Sequence, residues 1–526
     1  MKRIVLCFLL LLGMTLTVAS KGVTIPVRSQ AEFDGLNATL VKALRSGNDE
    51  VKVQFGKGVF FFSEKHLNLN GLSFPNATIT LDGDGAVLIG GGEDVIVRKK
   101  KKGRFTASFA GYDWRCGVID LERLEDVPPF GPLRRAQGPV EILDGKTGLC
   151  RFKAPEKAMK SPRGVMVQFS SWYLGLTYPV TKIEGGYIYF RVSDLSKSGG
   201  YYNVEGDKQY GGALPKYQLI NSPEAPLCWD GKKVSAAHKG RFHFCRNSQF
   251  LFVGNCTFKS LELNHFRFLG NRDTAEILFH FHKTGGRLTL RNCTFNGIRN
   301  LILSCADGAS VQFIDNVSEG NYRGTYRADR QSVGTQVTGN TFRNNQLFLG
   351  NAFDVICRGK DLLVKDNTFS DFTYGAIGLG SHFVEEGPAV CSGIVENNEI
   401  YYTDAYRKEP SRTLMDSGAI YLWTTQNGVT VRNNYIHDYT GSKDNRGIFG
   451  DDGTINATVT GNRILRIGNS YCIDFRRVES VETRSDSKVK KTNVGIKMYD
   501  NTVDGSVRFE PRPGDRTSRK GINKTL

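Results

Sequence analysis

Four aspartates, Asp416, Asp451, Asp452 and Asp474, sit in or beside short apolar runs that can be laid over one another. The runs cover residues 375–380, 418–423, 447–452 and 471–476, with Ile377, Ile420, Ile448 and Ile473 at their centres. In a strand, side chains alternate between two faces. If the four isoleucines form an inward column, Tyr421, Phe449 and Asp474 form an outward one. Trp423, Asp451 and Arg476 then fall in the next outward column. Carboxyl groups brought together from separate strands suit acid–base or nucleophilic work on a C–O bond. Aromatic faces suit stacking on apolar rings, and a guanidinium grips a carboxylate or sulfate with two N–H groups. Adjacent aspartates before a glycine, as in Asp451-Asp452-Gly453, are equally good turn formers.

Other residues could join such a site. His437, Tyr435, Lys443 and Arg446 lie close in sequence to the aspartates and would supply a base and a cation. Glu385 and Glu386 precede Gly387-Pro388 in a loop that could overhang the strip. His280 and His282 alternate with Phe279 and Phe281 and face one side, several repeats away. The expected set is Asp416, Asp451, Asp452 and Asp474 for chemistry, with Tyr421, Trp423, Arg476, Arg446, His437 and Glu386 binding substrate. No cofactor is expected. Clustered aspartates would suit Ca2+, but no EF-hand-type ligand spacing is present.

Elements that could hold these residues recur along the chain. Ser29 and Glu32 have capping-box spacing, and Phe33, Leu36, Leu40, Val41 and Leu44 make one apolar stripe that Gly47 stops. This predicts a single N-terminal helix. Short apolar runs with period two follow, at residues 51–55, 59–62, 67–69, 79–81 and 87–89. Further on, Asn255, Asn292, Asn316, Asn340, Asn367, Asn398, Asn434, Asn462 and Asn501 each open a short apolar segment. One strand and one asparagine per turn fits a parallel β-solenoid whose stacked amides satisfy turn backbones. The same reading assigns Asn255 and Asn292 to the ladder, although both also match the glycosylation sequon. Cys256 and Cys293 are expected as buried thiols of the repeat.

The chain of 526 residues divides on this reading into five parts. Residues 1–20 have the layout of a cleaved signal peptide, with Lys2 and Arg3 before an apolar run, which implies a secreted or periplasmic protein. Residues 21–97 hold the cap helix and first coils. Residues 98–246 break the repeat as a β-rich insertion, opened by a basic run, residues 98–104, read as a solvated loop. Residues 247–505 form the main coil, and residues 506–526 a loosely packed polar, basic tail. No stretch after the signal is long and apolar enough to span a bilayer. The formal charge of +17 falls to +15 without Lys2 and Arg3, so the remaining chain would attract an anionic polymer.

The helix, the Val51–Phe60 segment and the asparagine coils resemble the right-handed parallel β-helix proteins of the pectate-lyase-like superfamily. That resemblance covers most of the chain outside the insertion and tail. It implies an all-β parallel β-helix with an N-terminal capping helix, secretion, and a glycan substrate. Asp416-Ser417-Gly418-Ala419-Ile420-Tyr421 followed by Gly450-Asp451-Asp452-Gly453 is similar to paired motifs of β-helix glycoside hydrolases. By motif match, that likeness implies catalytic roles for Asp416, Asp451 and Asp452. The motif sets of polygalacturonases and pectate lyases are absent. The expected function is a glycoside hydrolase acting on a neutral or anionic polysaccharide or oligosaccharide, as a monomer without nucleic-acid partners. The alternatives are a lyase cleaving an acidic glycan by β-elimination and a non-catalytic glycan-binding solenoid.

Overall fold

The computed structural model describes residues 21–526 apart from 160–161, 172–173, 193–213, 329–331, 349–351, 381–390, 409–413, 415, 424–425, 443, 452, 476–480, 485–486, 491–493 and 512. Its body is a right-handed parallel β-helix in which each full coil contributes three short strands. Parallel pairing stacks like on like. On one face Leu290, Phe313, Val337, Val364, Val395, Val431, Val459 and Met498 form an unbroken inward column. On a second, Phe342, Phe369, Ile400, Ile436, Ile464 and Val503 do the same. On the third, Val355, Ile377, Ile420, Ile448, Ile473 and Val507 stand in register. The columns bury one continuous apolar core.

The corner between the first two faces explains the asparagine repeat. A residue with positive φ turns the chain, and it is Asp315, Gly339, Asp366, Asn397, Asn433, Gly461 or Asp500, residue types that tolerate the left-handed region. The next residue is the buried ladder asparagine. Asn367 Oδ1 accepts from the Asn340 backbone N–H at 2.9 Å and from its side-chain amide at 2.9 Å. Asn367 in turn donates from both groups to Asn398 Oδ1, and its amide also reaches the Val337 carbonyl at 2.8 Å. The ladder runs from Asn316 to Asn523. Asn255 and Asn292 differ from expectation. Both are exposed residues with positive φ, Asn292 one place before the ladder position held by Cys293, and Asn255 at another corner of the coil. Asn367→Ala leaves the Asn340 backbone N–H buried without its acceptor and removes one bond each from the Asn340 amide and the Val337 carbonyl. It is expected to cost about 3 kcal/mol, read as a lower urea midpoint at unchanged slope.

The N-terminus is capped by two short helices rather than one, Gln30–Asp34 and Leu36–Arg45, broken at Gly35. The capping box forms, with the Ser29 side chain accepting from the Glu32 N–H and Glu32 accepting from the Arg28 N–H at 2.6 Å. Phe33, Leu36, Leu40 and Leu44 close the end of the core. At the other end, residues 506–526 are not a loose tail. Ser506–Phe509, Arg519–Lys520 and Lys524–Thr525 pair in parallel with the preceding coil as one more turn. Their polar composition reflects an end coil with one side in water.

The insertion begins with Gly92–Val97, which pairs antiparallel with Gly240–Cys245, and builds two four-stranded sheets and a seven-stranded sheet. The basic run is a hairpin rather than a loop, Lys99–Lys101 against Arg104–Ser108, turning at Lys102 and Gly103. The fully buried Arg299 of the coil fastens the insertion. It donates to Asp126 Oδ1 at 2.9 Å and the Val127 carbonyl at 3.2 Å, lies on the Tyr322 ring, and Tyr322 donates to Asp126 Oδ2 at 2.5 Å.

Candidate active site on the third face

The outward column of the third face runs Phe252, His280, Ser304, Arg327, Ile356, Gly378, Tyr421, Phe449, Asp474, Arg508. Asp416 and Asp451 flank its C-terminal half, one at the start of the strand Ser417–Leu422 and the other just after the neighbouring strand Asn445–Gly450. The four residues 416, 421, 451 and 474 therefore share one side of the molecule. Glycine makes room for the cluster: a Cβ on Gly378 would come within 3.1 Å of both the Phe353 and Trp423 rings.

Asp451, 6% exposed, accepts from the Tyr421 hydroxyl at 2.5 Å. Asp416 has φ +54°, and its carbonyl accepts from the Tyr374 hydroxyl at 2.9 Å. Its side chain is 16% exposed and lies 3.8 Å from an Arg446 nitrogen. Burial pushes both the Tyr374 and Tyr421 phenols well above their ordinary pKa, and the Asp416 and Asp451 charges push in the same direction on both. Asp451 through its carboxylate and Asp416 through its carbonyl thus hold one tyrosine pair, whose ring centroids are 5.9 Å apart. Both phenols stay protonated and serve as hydrogen-bond donors at any ordinary pH.

Asp474 has a different position from its neighbours. It is 0% exposed, with Arg446 Nε at 2.7 Å from one oxygen and Arg508 nitrogens at 2.7 Å from both. Both oxygens are saturated by charge-assisted bonds, so Asp474 positions the two guanidiniums rather than exchanging protons as expected of it. Arg446 also covers the Phe449 ring at 4.1 Å. Tyr421 and Trp423, expected as open stacking platforms, are 1% and 6% exposed, packed with Phe353, Tyr374, Leu414 and Phe449. They form the floor under the carboxylates.

His437 is not part of this site. Its strand, Tyr435–His437, belongs to the second face, where the ring stacks on Tyr401 and contacts Asp438 at 2.7 Å and Glu399 at 3.3 Å. Closeness in sequence misled here, because a coil carries its strands to different faces. His280 and His282 do lie on the third face, about 24 Å from Tyr421 at five coil spacings, where they meet the Phe252 ring. Asp452, Arg476, Glu386 and Lys443 lie outside the described residues. Tyr374 and Arg508 were missed. Arg508 was legible in Ser506-Val507-Arg508-Phe509, which repeats the alternation of Cys472-Ile473-Asp474-Phe475. Among the described residues, no three His, Cys, Asp or Glu side chains gather as a metal site.

No protein-family model matches the sequence, and no curated protein matches it. Solved structures do. One described as a glycoside hydrolase has a TM-score of 0.59 at 13% identity, covering 85% of this chain and 95% of its own. A complex of XylC with xylose has 0.39 at 10% identity over 91% and 75% of the two chains. The catalytic domain of a GH87 alpha-1,3-glucanase with nigerose has 0.32 at 10% identity over 76% and 98%. The first of these likenesses, with the parallel register, defines the chain as a right-handed parallel β-helix protein carrying a β-rich insertion.

Proposed function

We propose that the chain is a secreted glycoside hydrolase that cleaves a polysaccharide or oligosaccharide with Asp416 and Asp451 as its working carboxyl pair. The observation that carries this reading is that Asp416 and Asp451, from neighbouring coils, flank one tyrosine pair, the Tyr421 hydroxyl donating to the Asp451 carboxylate and the Tyr374 hydroxyl to the Asp416 carbonyl. Two carboxyl groups across a glycosidic bond supply the acid and the base or nucleophile that hydrolysis needs. The Tyr421 phenol holds Asp451 in one orientation, and Arg446 stands beside Asp416. Asp452 belongs to the same motif. The fold shared with a solved glycoside hydrolase agrees with this reading, as does the signal-like segment at residues 1–20.

The lyase alternative fits less well. It needs a base at the uronate, and His437, the histidine closest in sequence to the aspartates, sits on another face. The test is a panel of neutral and acidic polysaccharides with product analysis. Hydrolysis yields new reducing ends without ultraviolet absorbance from an unsaturated sugar. Unsaturated products would overturn the hydrolase reading in favour of elimination.

A further inference from the structure

The insertion contains a cavity of about 470 Å3, far from the carboxylate pair in sequence and built from other strands. Its walls come from the basic hairpin, Met159, Pro162, Arg163 and Val165, the turn at Asn221–Pro223 and the hairpin Leu227–Trp229 with Lys233–Ala236. Among the described residues, five cations line it, Lys101, Lys102, Arg104, Arg163 and Lys233, against one carboxylate, Asp230. Asp230 accepts from the backbone N–H groups of Lys232 at 3.0 Å and Lys233 at 2.9 Å, so it shapes the turn. Among the described residues, Lys101, Lys102, Arg163 and Lys233 form no ion pair with an acidic side chain, and all four are exposed.

Arg104 makes this a built site. Its guanidinium donates to the carbonyls of Pro223, Ala225, Pro226 and Ser235 at 2.9–3.0 Å, while its Nε is buried without an acceptor. Four carbonyls fix the group without cancelling its charge. Trp229 offers a half-buried indole, itself held by donating to the Phe109 carbonyl at 2.9 Å, and Met159, Pro162 and Val165 add apolar surface. A concave, positively charged pocket of this size with an anchored indole takes one or two rings that carry negative charge. A nucleic-acid strand would need a longer basic track with several stacking faces.

We infer that this cavity is a second carbohydrate site, one that binds an anionic saccharide unit bearing carboxylate or sulfate. The site holds the acidic part of a glycan on the insertion, separately from bond cleavage. The choice of a saccharide rests on the hydrolase reading, whereas the binding itself asks for no cleavage.

Calorimetric titration of the full chain tests it, with an oligogalacturonate, a sulfated oligosaccharide, a neutral oligosaccharide of equal length and a single-stranded oligonucleotide. At least one acidic saccharide is expected to bind saturably at low salt and the neutral one not to, with affinity falling as salt is raised. The relative strength of the two acidic probes tells carboxylate from sulfate. The triple variant Lys101→Gln, Lys102→Gln, Lys233→Gln touches only exposed side chains. It is expected to lose about tenfold or more in affinity at unchanged melting temperature, and Lys101→Arg is expected to retain binding. Equal binding of the neutral saccharide, no saturable binding of either acidic one, an unaltered triple variant, or tighter binding of the oligonucleotide each overturns the inference. Activity on neutral substrates reports the carboxylate pair independently of all these outcomes.

Discussion

Asp451→Asn is expected to lower kcat about a thousandfold while leaving the fold intact, and Asp416→Asn to do nearly the same. The size follows from losing one proton-transfer or nucleophilic partner, about 4 kcal/mol of transition-state stabilisation. The fold survives because an amide oxygen at position 451 still accepts from the Tyr421 hydroxyl, so the floor of Tyr421, Trp423, Phe353 and Phe449 keeps its packing. The double variant is expected to be little worse than either single one, because the two groups act as a unit. Kinetics on whichever glycan the panel yields, beside a melting curve for each variant, decide the matter. A Asp451→Asn protein that keeps full turnover at unchanged stability would remove Asp451 from the mechanism. Asp474→Asn should behave differently: it leaves Arg446 and Arg508 short of countercharge and is expected to lower stability together with activity.

Asp354 carries the second large effect, and it concerns pH. The residue is fully buried in the strand Phe353–Cys357, and burial pushes its pKa up to about 8. The side-chain amides of Asn345 and Gln346 oppose the shift, but no hydrogen bond of good geometry reaches either oxygen. The unfolded chain releases this proton near pH 4, whereas the folded chain holds it until about pH 8. Between those values the folded state binds more protons than the unfolded state, so stability falls as pH rises and levels off above the folded pKa. At pH 7 the loss is on the order of 4 kcal/mol relative to pH 4. Asp354→Asn keeps the shape without an ionisable group. It is expected to match the parent near pH 4 and to exceed it progressively towards pH 8 in urea unfolding. Parallel pH profiles for the two proteins would contradict the assignment.

The third-face column was legible because strand alternation is strict. Once Ile377, Ile420, Ile448 and Ile473 are aligned, the directions of Tyr421, Phe449 and Asp474 follow, and the structure has that register. How open those residues are was not legible. Phe353, Tyr374 and Leu414, which cover Tyr421 and Trp423, come from other coils and connections whose reach no local spacing encodes. The asparagine ladder was half legible, since asparagine suits both the left-handed corner and the buried rung beside it. From Asn316 onward the rung is asparagine. At Asn292 the corner is asparagine and the rung is Cys293. Hydropathy hid the last coil because most of its described residues are polar and at least partly exposed. It also hid the pairing of Arg508 with Asp474.

The interruption of the coil by the insertion has a kinetic consequence. Asp82 and His265 touch across neighbouring turns yet are 183 residues apart, whereas Asn316 and Asn340 are 24 apart. On a ribosome, most turns find their template almost as soon as they emerge. The coil just before the insertion waits about ten to forty seconds for its next one. During that delay the edge formed by residues 73–82 has no neighbour, which makes the nascent N-terminal segment the place where assembly is slowest and most open to mispairing.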